Sequence, residues 1–120
     1  MRKILPILSV AIALLLALFF LFGAYGNFFL SEENAKNYAA WGYPQWFHYI
    51  TALLEFTVFM LLLNRPSRAF GALLGSLVMT AALLTTLIHA DYDHAIAPAI
   101  VLMISLISLG LSLYVAKKAD

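Results

Sequence analysis

The chain reads as an all-α protein, a four-helix transmembrane bundle with both termini cytoplasmic and a short interfacial helix in the first extracytoplasmic loop. Three observations predict this. Of its 120 residues, 64% are hydrophobic and 11% charged, with a mean hydropathy of +0.94; soluble domains carry about 25% charged residues. The apolar residues gather in four stretches, Ile4–Tyr25, Gln45–Leu63, Ala69–His89 and Ala95–Val115. Each is close to the roughly 20 residues that a helix needs to cross the hydrocarbon core, about twice the length of a barrel strand. The basic residues also segregate. If four crossings alternate, Arg2, Lys3, Arg65, Arg68, Lys117 and Lys118 share one side, while Glu32, Glu33, Asp91 and Asp93 hold the other with Lys36. The positive-inside rule makes the first side cytoplasmic. Residues 1–120 are read as a single membrane domain, multi-pass and in contact with the lipid bilayer.

Each element has its own justification. The first stretch follows Arg2 and Lys3, as a signal peptide would, but it is uninterrupted to Phe22, well beyond the 7–15 residues of a signal core. It is read as a span. In Asn27–Pro44 the run Ser31-Glu32-Glu33-Asn34 looks like a helix N-cap, and Tyr38, Trp41 and Tyr43 follow at headgroup level. Pro44 opens the second span. Asn64–Arg68 is a tight turn with Pro66 suited to the first turn of the third span, and Asp91–His94 is equally tight. The second, third and fourth spans are therefore expected as consecutive antiparallel neighbours.

Small residues let membrane helices approach closely. Ser9, Ala13, Ala17 and Ala24 mark such a face on the first span, and Ser105, Ser108 and Ser112 on the fourth. On the third, Gly71, Gly75, Ala82, Thr86 and His89 form a stripe along its length. These stripes are ordinary packing faces. The second span differs, because His48, Thr51, Ala52 and Glu55 share one side at spacings of three, four and seven residues. Glu55 is the sole charge between Tyr49 and Leu63. An ionisable group at membrane depth is costly and marks a functional hypothesis by default. Desolvation favours the neutral acid, which then needs partners, with Thr51, Thr85, Thr86 or a histidine as the candidates.

Seven helical residues span about 10 Å. Glu55 lies that far below His48, and Ala82 that far below His89. Antiparallel packing then sets Glu55 opposite Ala82, with the two histidines level above. The expected site is a cavity open to the outer face, with Glu55 at its floor and His48, Thr51, Thr86 and His89 around it. A hydrogen-bonding structural acid is the competing reading of Glu55.

Other chemistries are excluded or weak. A net charge of +1 leaves no basic patch for nucleic acid. The absence of cysteine removes disulfides, thiol redox motifs and thiolate metal sites. His48, His89 and His94 lie on one side with Asp91 and Asp93, but no His-x-x-x-His pair stands on one helix. Neither a metal site nor a haem is assigned.

Gly42-Tyr43-Pro44, Leu54-Glu55-Phe56, the Arg-containing turn before Ala69, Leu87-Ile88-His89 and Ala97-Pro98 together make the chain resemble the DoxX-like membrane proteins, over roughly Phe22 to Tyr114. The resemblance implies a four-helix protein of bacterial inner membranes. Some relatives are linked to thiosulfate:quinone oxidoreduction or methylamine utilisation, and distant ones to chaperone or cargo roles. It places Glu55 at the family's helix-two acid and His89 at the end of helix three. The leading functional expectation is an accessory or quinone-binding component of membrane redox metabolism with no intrinsic cofactor. In that role Glu55 bonds the ligand's oxygen or relays its proton, while His48 and His89 orient it. The alternative is a scaffold or assembly protein that docks a membrane-protein partner or a second copy of itself. A transporter of this length would require a dimer.

Overall fold

The computed structural model describes residues 3–119, so Arg2, counted above among the basic residues, lies outside them. The described residues form five α-helices and two short 3-10 turns, with no strand among them. The helices are α1 (Ile4–Phe28), α2 (Glu32–Ala40), α3 (Phe47–Leu63), α4 (Arg68–Ile88) and α5 (Ile96–Ala119). Counted with their 3-10 turns, α4 and α5 join α1 as the three helices long and apolar enough to cross a membrane; α3, at 17 residues, is a shorter apolar helix.

The four long helices close into a ring in which α1 and α4 each pack against both α3 and α5. The tight turns explain most of this. Pro66 sits in the 3-10 turn Arg65–Ser67 that leads into α4. At the other end Ala90 adopts a left-handed φ of 54°, and Asp91 N–H closes on Thr86 O at 2.8 Å. That closure meets the last carbonyls of α4 in the manner of a helix C-cap.

Small residues set how closely the ring packs. Ser9, Ala13, Ala17 and Ala24 are all buried on α1. A Cβ at Gly75 would meet the Phe20 ring at 2.9 Å, so the missing side chain makes room for Phe20, which is fully buried. A Cβ at Gly71 would meet the backbone nitrogen of Leu62 at 2.9 Å, so this glycine lets α3 and α4 touch beside their turn. Around Phe20 lie Leu16, Val58, Leu62, Ala72, Met79 and Val101. Outside, Ile7, Phe22, Phe70 and Ile88 are more than two-thirds exposed, as lipid-facing side chains would be.

Several expectations are corrected. The first helix continues past Tyr25 to Phe28, which brings Asn27 into it. The second begins at Phe47 instead of Gln45, because Pro44 and Gln45 form a turn in which Phe47 N–H bonds Pro44 O. The last runs beyond Val115 to Ala119. The α4 stripe is not buried throughout: Gly71, Gly75 and Thr86 are buried, Ala82 is half-buried and His89 is exposed. The ring turns away from His89 where α4 ends, since that residue is already the C-cap.

Candidate functional site

Glu55 is 4% exposed and lies on the buried face of α3 with Ala52, Val58 and Leu62. Its carboxyl turns toward α1, not toward Ala82. The reason is Gly23, where a Cβ would collide with Glu55 Oε2. The notch left by that missing side chain is filled by the carboxyl.

The partner is Asn27, one helical turn beyond Gly23. Its Nδ2 donates to Glu55 Oε1 at 2.5 Å and to Gly23 O at 3.0 Å. Its Oδ1 accepts from the Tyr38 hydroxyl at 2.6 Å, and its backbone carbonyl accepts from His48 Nδ1 at 2.6 Å. Asn27 thus joins α1, α2 and α3 at one point. Thr51 stands beside the Tyr38 phenol. Burial pushes that phenol above its ordinary value, against a smaller lowering by the Thr51 hydroxyl, and the neighbouring Glu55 raises it further. Tyr38 therefore remains a neutral donor at neutral pH.

Three residues expected at the site are placed together: Glu55, His48 and Thr51. The other two are not. Thr86 donates to Ala82 O and Leu83 O of its own helix, and His89 donates to Thr85 O. Thr85 itself meets the Tyr43 hydroxyl at 2.5 Å. No described hydrogen bond of α4 reaches Glu55, so the partners expected for the carboxyl on that helix are replaced by Asn27.

Asn27, Tyr38 and Gly23 were missed. Gly23 and Asn27 stand four apart, the spacing that puts two residues on one helix face. That signal is present in the sequence, but the apolar run stops at Tyr25, which makes Asn27 look like the start of a loop. Tyr38 was read only as a headgroup aromatic.

A second, half-buried cluster fastens α2 to the turn between α4 and α5. Trp41 Nε1 donates to Asp91 Oδ2 at 3.1 Å, and His94 Nδ1 donates to Asp91 at 2.8 Å. The His94 bond, followed by that of Trp41, holds the Asp91 carboxyl below its usual value. Among the described residues no group of three or more His, Asp and Glu could hold a metal ion.

Two clefts accompany these clusters. One, about 400 Å³, is an almost wholly apolar groove between α1 and α3. Its walls include Ala24 and Phe56, the chain neighbours of Gly23 and Glu55, and Ala52, one helical turn before Glu55, together with Phe28 and Tyr49. The other, about 800 Å³, lies at the opposite end of the bundle beside Arg65 and Arg68. Neither is lined by Glu55.

The family model described as DoxX-like matches residues 11–108, which contain every residue of the Glu55 cluster. That match and the three apolar helices fit an integral membrane protein. No curated protein and no solved structure matches the chain.

Proposed function

The chain belongs to the DoxX-like family, and from that premise we propose that it binds a hydrophobic ligand of the quinone class as an accessory component of membrane redox metabolism. On this proposal the protein sits in a bacterial inner membrane, with α3 as a fourth span and both termini cytoplasmic. The basic residues support that orientation, since Arg65, Arg68 and Lys118 line one cleft with the first turns of α1.

The observation that carries the reading is the buried carboxyl of Glu55, joined through Asn27 to His48 and Tyr38, beside an apolar groove of about 400 Å³. A quinone couples an apolar ring and tail to polar oxygens. The groove suits the first, and the cluster offers an acid, an imidazole and hydroxyls for the second. Once bound, such a ligand would supply the redox chemistry that a chain without cysteine lacks. Glu55 would bond its oxygen or exchange a proton with it, and His48 and Thr51 would orient it. Thr86 and His89, whose bonds return to their own helix, are left a peripheral part.

One observation favours the scaffold reading instead. Both described donor bonds of the Asn27 amide are engaged within the protein, as they would be if the cluster served only to fasten α1 to α3 for docking of a membrane protein or a second copy. Native mass spectrometry from mild detergent separates the two. The expected result is a discrete adduct of quinone-like mass that disappears in Glu55→Gln, because Gln keeps hydrogen bonding but cannot ionise. An apo mass for both proteins, or a mass showing only a protein partner, would overturn the ligand reading and favour the scaffold one.

A further inference from the structure

We propose that the cleft at the basic end of the bundle binds a phosphate-bearing anion, the headgroup of an anionic phospholipid. This site is separate from the Glu55 cluster and does not depend on the redox reading. The cleft measures about 800 Å³ and lies between the first turns of α1 and the last turns of α5, with the α3–α4 turn as its third wall.

Its polar lining is Arg65, Arg68, Lys118, Ser9 and Ser112. Arg68 is the centre of the argument. It is 9% exposed, and its one described hydrogen bond runs from Nε to Leu62 O at 3.1 Å. The one ion pair among the described residues is Asp91 with His94, in the turn at the far end of α4, and Glu55 is bonded to Asn27. No described acid therefore answers the Arg68 guanidinium. Burying a charge without a partner is strongly unfavourable, so an anion from outside the described chain satisfies it best. Ser105, Ser108 and Ser112 all bury hydroxyls with no partner among the described residues, and of the three Ser112 lines this cleft.

The chemistry of the donors selects the anion. A guanidinium presents paired N–H groups that match two phosphate oxygens, and a serine hydroxyl can supply another donor. Arg65 and Lys118, both exposed, add positive charge at the rim. The cleft also has apolar walls at Leu5, Val10 and Val115, where an acyl chain would lie and a free phosphate would gain nothing. Basic pockets between helices at a cytoplasmic surface are suited to anionic headgroups for the same reasons. Asp120 lies outside the described residues, so the test also removes its charge.

The test is native mass spectrometry of the full chain titrated with phosphatidylglycerol, with phosphatidylcholine of the same acyl chains, and with inorganic phosphate. Both lipids carry a phosphodiester, but the choline cation of phosphatidylcholine would meet Arg65, Arg68 and Lys118. Phosphatidylglycerol should therefore bind at roughly tenfold lower concentration, about 1.4 kcal/mol of like-charge repulsion avoided. Arg68→Gln should abolish the preference. The double variant Arg65→Gln with Lys118→Gln changes only exposed side chains, and should weaken the preference several-fold while melting like wild type in phosphatidylcholine. Asp120→Asn should leave it unchanged. Equal binding of the two lipids, or a preference that survives both sets of variants, overturns the proposal. So does a preference that rises in Asp120→Asn, which would make Asp120 the counter-ion. Inorganic phosphate binding as tightly as phosphatidylglycerol would overturn the lipid assignment and leave free phosphate as the ligand.

Discussion

Glu55 and Arg68 are both buried, at 4% and 9% exposure, yet their surroundings differ in kind. Glu55 meets a side-chain donor from another helix and fits a notch that a glycine leaves open. Arg68 meets a backbone carbonyl of the preceding helix and faces a cleft with two more cations. One end of the bundle answers its own buried polar group. The other end gathers like charges around a space. A carboxyl satisfied internally is held in one geometry, whereas the cation beside the cleft has no acid partner among the described residues, as the proposed anion site requires. Burial alone therefore does not distinguish a packing element from a binding element; the partner does.

The largest expected effect comes from removing the partner of Glu55. Asn27→Leu should destabilise the protein by about 3 kcal/mol, because a buried carboxyl loses its described donor. Glu55→Leu should cost less, about 1–2 kcal/mol, since the Asn27 amide loses one acceptor and keeps its bonds to Gly23 O and the Tyr38 hydroxyl. The double variant should cost less than the sum by about 1 kcal/mol or more. Thermal unfolding of the four proteins in mild detergent measures this cycle. Additive effects would mean that the two side chains do not communicate, and the contrast with Arg68 would collapse.

A smaller effect tests the notch itself. Gly23→Ala places a methyl where the Glu55 carboxyl lies, and overpacking of this kind costs about 1–3 kcal/mol. Gly26, three residues along, has open space around a Cβ. Gly26→Ala should be neutral or stabilising by up to about 1 kcal/mol, the difference in helix propensity. Similar melting for the two variants would remove Gly23 from the account.

The smallest effect concerns an acid in open surroundings. Hydrogen bonds from His94 and Trp41 lower the Asp91 carboxyl below its ordinary value of about 4. Its ionised form is thus favoured in the folded protein. The contribution is present above that ordinary value and is lost as the pH falls through the depressed one. Exchange of the Trp41 indole N–H should accelerate in that acidic window while α1 and α3 stay protected. In Asp91→Asn the pH dependence should flatten.

How much of this could be read from the sequence depends on what fixes register. The tight turns at Asn64–Arg68 and Asp91–His94 were recognisable, and with them the packing of α3 on α4 and of α4 on α5. The Ser31 N-cap was equally plain, and Asn34 N–H bonds its hydroxyl at 3.1 Å. Glu55 stood out through charge alone. Its partner did not, because α1 and α3 are joined by a long connection that constrains no register. The face that α1 turns to α3 depends on Gly23, whose significance is an absence of atoms. Hydropathy also ended α1 at Tyr25, where composition changes, although backbone hydrogen bonding carries the helix on to Phe28. The basic residues were legible as a topological signal. Their convergence on one cleft was not, since Ser9, Arg68 and Ser112 come from three different helices.

The pairing of Asn27 with Glu55 also has a consequence for the order of synthesis. α1 precedes α3 in the chain, and chains are made from the N-terminus. The amide donor is therefore made before the acid-bearing helix. An acid entering lipid alone would face a penalty of a few kcal/mol, and α3 is the shortest of the four ring helices. If α3 is a span, as proposed, the sequence order lets that helix enter against a preformed partner, so the shortest segment, which also carries the acid, does not insert unaided.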